Sequence, residues 1–159
     1  MKKVIAVAIA ATTILGSQVA HAATTTHKAA QATTFVLTVH ATGANVTMAS
    51  NGAMGGASTG SANGRFVVDL KKNTVCYTVT TKGLTGVVEG HIHTGAAGKD
   101  GDVAVALDPA HFNKKAATCV KGSPAVLGMI ATAPANYYFN LHTKKYSDGA
   151  VRGQLAAGK

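Results

Sequence analysis

The chain has 159 residues, with 15 Lys and Arg against 6 Asp and Glu, and a formal charge of +9. The basic residues are spread as the pairs Lys71-Lys72, Lys114-Lys115 and Lys144-Lys145, each beside a turn signal and none interleaved with aromatics. That pattern excludes nucleic acid as a partner and describes a solvated basic surface, with weak attraction to anionic lipid or cell-wall polymer as the alternative.

In chain order, Lys2 and Lys3 precede a short apolar run from Val4 to Ala11. The run closes at Val19-Ala20-His21-Ala22, with small residues at −3 and −1 of a cut after Ala22. This is the pattern of a secretory signal peptide over residues 1–22. A membrane anchor fits poorly, because Thr12, Thr13, Gly16, Ser17 and Gln18 break the run short of the roughly 20 apolar residues a span needs. Neither cysteine lies near the cut, which argues against a lipid anchor. The expected location is periplasmic or secreted, with no transmembrane segment after cleavage. Residues 23–33 are rich in Ala and Thr without apolar period and read as a flexible leader.

From Thr34 the pattern changes to period two. Phe35, Leu37 and Val39 share one face, and Val36, Thr38 and His40 the other, which predicts a strand. Residues 51–63 are rich in Gly, Ser and Ala and read as loop or irregular edge. Gly64–Leu70 and Thr74–Thr80 then alternate again around Lys71-Lys72-Asn73, a hairpin signature. Further strands are expected over Glu89–Thr94, Asp102–Leu107, Asn136–His142 and Ala150–Leu155. Asp108 followed by Pro109 predicts a helical turn over residues 109–113, with Asp108 as its cap. No sustained helical period follows the signal. Seven or eight short strands with short connections predict an all-β fold, an antiparallel β-sandwich or barrel.

Cys76 and Cys119 are the two cysteines. Export places them where disulfides persist, and no metal-type spacing surrounds them, so one structural bridge is favoured over two buried thiols.

The chemistry-bearing residues are histidines. In His91-Ile92-His93, residues i and i+2 share a strand face, so both imidazoles project together while Ile92 enters the core. On its own the pair reads more readily as two exposed or hydrogen-bonded histidines, since two ligands do not complete a copper or zinc site. His142 follows the inward-facing Phe139 and Leu141 and is outward. It joins the pair if its strand is a neighbour. His111 lies in a connection able to fold over the same surface. His40 ends its strand and is a weaker candidate. Gly95–Gly101 lacks a phosphate-loop ending and no helix follows it. Its glycines are expected to supply positive φ in a tight connection. No nucleophile motif and no paired carboxylates stand out, so an enzyme is the less favoured reading.

Taken together, His91-Ile92-His93-Thr94-Gly95, Gly101–Leu107, Tyr137–Thr143 with its Asn140-Leu141-His142, and Asp148–Leu155 with its Arg152-Gly153-Gln154-Leu155 resemble the CHRD (chordin-type) domain family. The likeness covers about Phe35 to Leu155 and implies one domain over 34–156. It implies a sandwich of Greek-key, Ig-like or superoxide-dismutase-like form, and little mechanism. The order His91, His93, His111-Phe112-Asn113, His142 is also similar to the copper-holding pattern of copper–zinc superoxide dismutases, without the further histidines of a zinc site. That likeness implies copper on the HxH pair and His142, with Arg152 steering an anion if register places it on the same face. Three functions follow as expectations. The leading one is an extracytoplasmic binding or structural module, with His91, His93 and His142 as an optional copper or zinc site and with an unidentified protein or envelope partner. The others are a copper-only dismutase-like enzyme and a metal-free adhesion module.

Overall fold

The structure, a computed structural model, describes residues 32–47 and 55–159. The expected signal peptide and almost all of the leader lie outside them.

The described residues form nine strands. They are β1 (Thr34–Thr42), β2 (Ser61–Asp69), β3 (Thr74–Lys82), β4 (Val87–Thr94), β5 (Val103–Leu107), β6 (Thr118–Lys121), β7 (Tyr137–Thr143), β8 (Val151–Gln154) and β9 (Ala156–Ala157). β1, β2 and β3 alternate buried with exposed or half-buried positions, as the sequence pattern requires. The nine form one antiparallel sheet in the order β5-β4-β7-β8-β1-β2-β3-β6, with β9 against β1. The sheet curls nearly into a barrel around Leu37, Phe66, Val79, Ile92, Phe139 and Leu141, all at most 1% exposed. The expected all-β class is therefore the observed one, in a single sheet bent over itself.

The β2–β3 hairpin forms where the turn residues predict it. Asp69 accepts hydrogen bonds from the backbone N–H groups of Lys71 and Lys72, and Asn73 takes a left-handed φ of 53°. β2 begins at Ser61, inside the stretch expected to be loop.

Two of the elements that escape the sequence pattern add to the sheet and the core. One is β6, whose four residues place Cys119 directly opposite Cys76, with Cα atoms 3.9 Å apart and the disulfide made. The other is α1 (Pro124–Thr132), which sends Leu127 and Ile130 into the core. Pro-Ala-Val-Leu-Gly-Met-Ile-Ala-Thr is apolar almost all round. In a nine-residue helix the buried stripe therefore has little polar contrast to reveal its period. Among the described residues no helix is long and apolar enough to cross a membrane.

The two edges of the sheet are β5 and β6, and the segment after β5 partly fills the gap between them. Asp108 caps a short 3-10 helix, Pro109–His111, by accepting from the Ala110 N–H, as its Asp-Pro start predicts. The Tyr77 hydroxyl accepts from the Asp108 N–H and donates to the Asp108 carbonyl. Asn113, at φ 61°, donates its N–H to Val79 and accepts from the Thr81 N–H. Phe112 is buried between these contacts. A Cβ added at Gly90 would stand 2.7 Å from the Phe112 ring, so glycine at that β4 position lets the loop approach.

Candidate metal centre

β4 and β7 pair so that Glu89 faces His142, His91 faces Asn140 and His93 faces Tyr138. β7 pairs in turn with β8, placing Arg152 beside Asn140 and Gln154 beside Tyr138. With Ile92, Phe139 and Leu141 directed into the core, the outer face of these three strands carries His91, His93, Tyr138, Asn140, His142 and Arg152. His91, His93 and His142 are thus diagonal and same-strand neighbours. Their ring centroids are 5.3 to 6.3 Å apart.

One ring nitrogen from each of the three histidines lies within 4.8 Å of the others. Nitrogens bound to a shared ion at roughly 2.0 Å stand about 3 to 4 Å apart, so small ring rotations bring the three into bonding range. Two of the remaining nitrogens are already engaged. His93 donates from Nδ1 to the Gly101 carbonyl at 3.0 Å, and His142 from Nδ1 to the Ser147 carbonyl at 2.7 Å. His91 Nε2 faces the Glu89 carboxylate at 4.0 Å. The carbonyl contacts fix the tautomers of His93 and His142 and leave their Nε2 atoms as lone pairs, with His91 Nδ1 the corresponding inner nitrogen of the third ring. Among the described residues, His91 Nδ1 and His93 Nε2 are buried without a hydrogen-bond partner, and His142 Nε2 has only a long contact of 3.4 Å with the Asn140 amide. A metal-binding imidazole is commonly held in this way by a protein acceptor on its far nitrogen.

Electrostatics favours the neutral, ligating form. Burial first, then the neighbouring His142, hold His91 below the usual histidine range, with Glu89 opposing. Burial also lowers His93, and His91, His142 and Arg152 add to it, while the bond to Gly101 works the other way.

His111 is not part of this group. The sequence pattern offers it as a fourth ligand, yet its Nδ1 lies 2.9 Å from the Asp108 carboxylate, in the segment that fills the gap beside β3. Phe112 anchors that segment to the core side of β4, whereas His91 and His93 point outward. His40 pairs with Asn63 on the β1–β2 face and also stands apart.

Arg152 does share the histidine face, which settles the register question, but it is not free to steer an anion. It is 3% exposed, its guanidinium carbon lies 3.5 Å from the centre of the Tyr138 ring, and it is bound to Asp100, Thr47, Ala96 and Lys99. Tyr138 stacks on His93 with ring centroids 4.9 Å apart and planes 5° from parallel. The stack of His93, Tyr138 and Arg152 escapes sequence reading. Alternation places Tyr138 outward opposite the inward Phe139, but only register names its neighbours.

The glycine connection behaves as expected in part. Gly95 and Gly98 take φ of 139° and 75°. Gly101 has ordinary φ. It is needed for closeness instead, since an added Cβ there would collide with the Thr94 carbonyl.

The runs His91-Ile92-His93, Asn140-Leu141-His142 and Arg152-Gly153-Gln154 therefore form one three-strand patch, and residues 37–155 match the CHRD domain family. The chain belongs to that family. No curated protein and no solved structure matches it. In this CHRD domain the three runs thus serve two purposes, presenting imidazoles and holding down the loop beside them.

Proposed function

We propose that this CHRD-domain protein is an exported binding module that takes one copper or zinc ion on His91 Nδ1, His93 Nε2 and His142 Nε2. The observation that carries the reading is the pair of buried, partnerless ring nitrogens at His91 and His93, beside a third imidazole. A buried polar atom without a partner costs about 1 to 3 kcal/mol, and an ion that accepts their lone pairs removes that cost. Imidazole suits both copper and zinc, and three protein nitrogens leave a coordination position for an outside ligand. The Cys76–Cys119 disulfide agrees with an oxidising compartment, and so supports export through the signal expected over residues 1–22.

Within this reading each side chain has a defined task. His91, His93 and His142 bind. Gly101 and Ser147 hold two of the rings through their carbonyls, and the Asn140 amide lies against the His142 lone pair. The dismutase-like alternative requires a free cation at Arg152, and the four acceptors around that guanidinium argue against it.

The test is titration of the purified protein with copper and then zinc, alongside His91→Ala and His142→Ala. Micromolar or tighter binding that both substitutions abolish supports the site. Absence of binding by the unmutated protein sinks it and favours the metal-free interaction module.

A further inference from the structure

Arg152 raises a question that the metal reading does not answer. A cation 3% exposed, stacked on an aromatic ring and bound to one short loop, carries more fixed structure than an anchoring role on β8 requires. Its contacts fall on residues 96, 99 and 100 of the β4–β5 connection and on Thr47. The same connection contains Gly101, whose carbonyl accepts from His93 Nδ1 and whose N–H faces the Tyr138 hydroxyl at 3.4 Å. Gln154, two residues on from Arg152, holds the start of the connection by donating to the Gly95 carbonyl at 2.7 Å.

Two routes therefore lead from the guanidinium to the His93 ring. The first runs through the loop. Arg152 fixes Ala96, Lys99 and Asp100, and so fixes the Gly101 carbonyl that selects the His93 tautomer. The second runs through the stack. Arg152 packs on the Tyr138 ring and His93 stacks parallel to the same ring, so the plane of His93 follows a ring that Arg152 holds. No comparable device reaches His91, whose outer nitrogen meets only the exposed Glu89 carboxylate.

We propose that Arg152 is a positioning residue of the metal centre, which keeps His93 Nε2 aimed at the ion by holding the Gly101 carbonyl and the Tyr138 ring. The proposal rests on the metal reading above for its functional meaning, but its structural content concerns the His93 ring alone. A lysine at this position would not replace the arginine, because an ammonium on a flexible stem neither stacks flat on Tyr138 nor reaches four acceptors in one plane.

The experiment has two arms. In the first, copper affinity is measured by competition for the unmutated protein, Arg152→Gln, Asp100→Asn, His93→Ala and the double variant His93→Ala with Arg152→Gln. Loss of an outer partner of a ligand costs roughly 10- to 100-fold in affinity, and Arg152→Gln is expected in that range. Asp100→Asn, which leaves the arginine in place and removes the charge it meets, is expected to lose less in the same direction. On the His93→Ala background Arg152→Gln should add no more than about a twofold loss, because residues that act through one another are not additive. An equal loss on both backgrounds overturns the proposal and marks the arginine as a general support of the fold. So does full affinity in Arg152→Gln.

The second arm needs no metal. Nitrogen NMR of the metal-free protein reads the His93 tautomer, expected as Nδ1–H in the unmutated chain and mixed in Arg152→Gln. An unchanged tautomer overturns the proposal. If the unmutated protein binds no copper, the metal reading fails by the first arm while this second arm still decides whether Arg152 orients His93.

Discussion

Two cross-strand clusters sit on the outer face of the sheet, and they are built alike up to the last step. At β3–β6, Cys76 stands directly opposite Cys119, and the two sulfurs are joined. At β4–β7, His91, His93 and His142 meet across the strands, and no protein bond closes the group. The first pair is chemically complete and needs no further ligand. The second leaves two buried nitrogens without partners while the far-side contacts of His93 and His142 hold those rings in place. A fold does not gain stability from orphaned buried lone pairs. One cluster thus serves to hold the barrel together, and the other is kept open at some cost to it.

That contrast can be broken by opening the closed cluster. Joining residues 43 apart removes denatured-chain entropy equivalent to roughly 4 kcal/mol. Replacing Cys76 and Cys119 together by Ser is expected to lower the unfolding free energy by about 3 to 4 kcal/mol, read from urea melts. Copper affinity of the folded variant should change by less than about threefold, since the histidines stand on other strands and distant sites act independently. A large loss of affinity with intact folding would mean that the two clusters are coupled through the sheet.

The converse experiment removes a member of the open cluster. His142→Ala takes away one of three ligands, and its cost should exceed the roughly 10- to 100-fold that outer partners are worth. Unfolding free energy of the metal-free protein should fall by only about 0.5 to 1.5 kcal/mol, the worth of the exposed hydrogen bond to the Ser147 carbonyl that is lost. If His142→Ala instead destabilises the metal-free fold by several kcal/mol, the cluster is a packing feature rather than a site.

Acidity sharpens the comparison further, because the disulfide does not titrate and the imidazoles do. His91 and His93 are held below their ordinary value in the folded protein by burial. In the unfolded chain they take up protons near about pH 6.5. Just below that pH the unfolded state carries more protons than the folded one, so stability falls as pH falls. Their contribution is complete above about pH 6.5 and is lost progressively toward the lower folded values. Urea melts of the metal-free protein at several pH values should show this slope, and His91→Ala with His93→Ala should flatten it. An equal slope in the double variant would assign the effect to other groups.

Much of this arrangement is legible in the chain itself. Alternation places Phe35, Leu37 and Val39 on one face, sets His91 and His93 together and turns His142 outward. Turn residues mark the β2–β3 hairpin, and Asp108-Pro109 marks its helical turn. What alternation cannot supply is which strand lies beside which. The meeting of His142 with His91 depends on β7 pairing with β4, far along the chain, in one register and not its neighbour. The same holds for Arg152. Its face follows only from Asn140 standing opposite it, and its saturation by residues 96–100 lies in side-chain contacts that no periodicity encodes. The helix at Pro124–Thr132 escapes for a different reason, since a short and almost wholly apolar segment has no pattern to detect.

The smallest expected effect separates sequence order from spatial grouping. His111 falls between His93 and His142 in the chain, and its His-Phe-Asn context invites a place in the site. In the fold Phe112 and Asn113 are the working residues of that segment, one filling the core and the other completing the β3 edge, and they turn His111 toward Asp108 instead. That hydrogen-bonded contact is about half exposed, and exposed pairs contribute roughly 0 to 1 kcal/mol. His111→Ala should therefore leave copper affinity within about twofold and cost no more than that small stability increment. Phe112→Ala, one position along, should cost about 3 to 5 kcal/mol by emptying a core position. A tenfold loss of copper affinity in His111→Ala would show that the segment swings to the histidine face when the ion arrives. The open cluster would then be completed by a ligand from the far edge of the sheet.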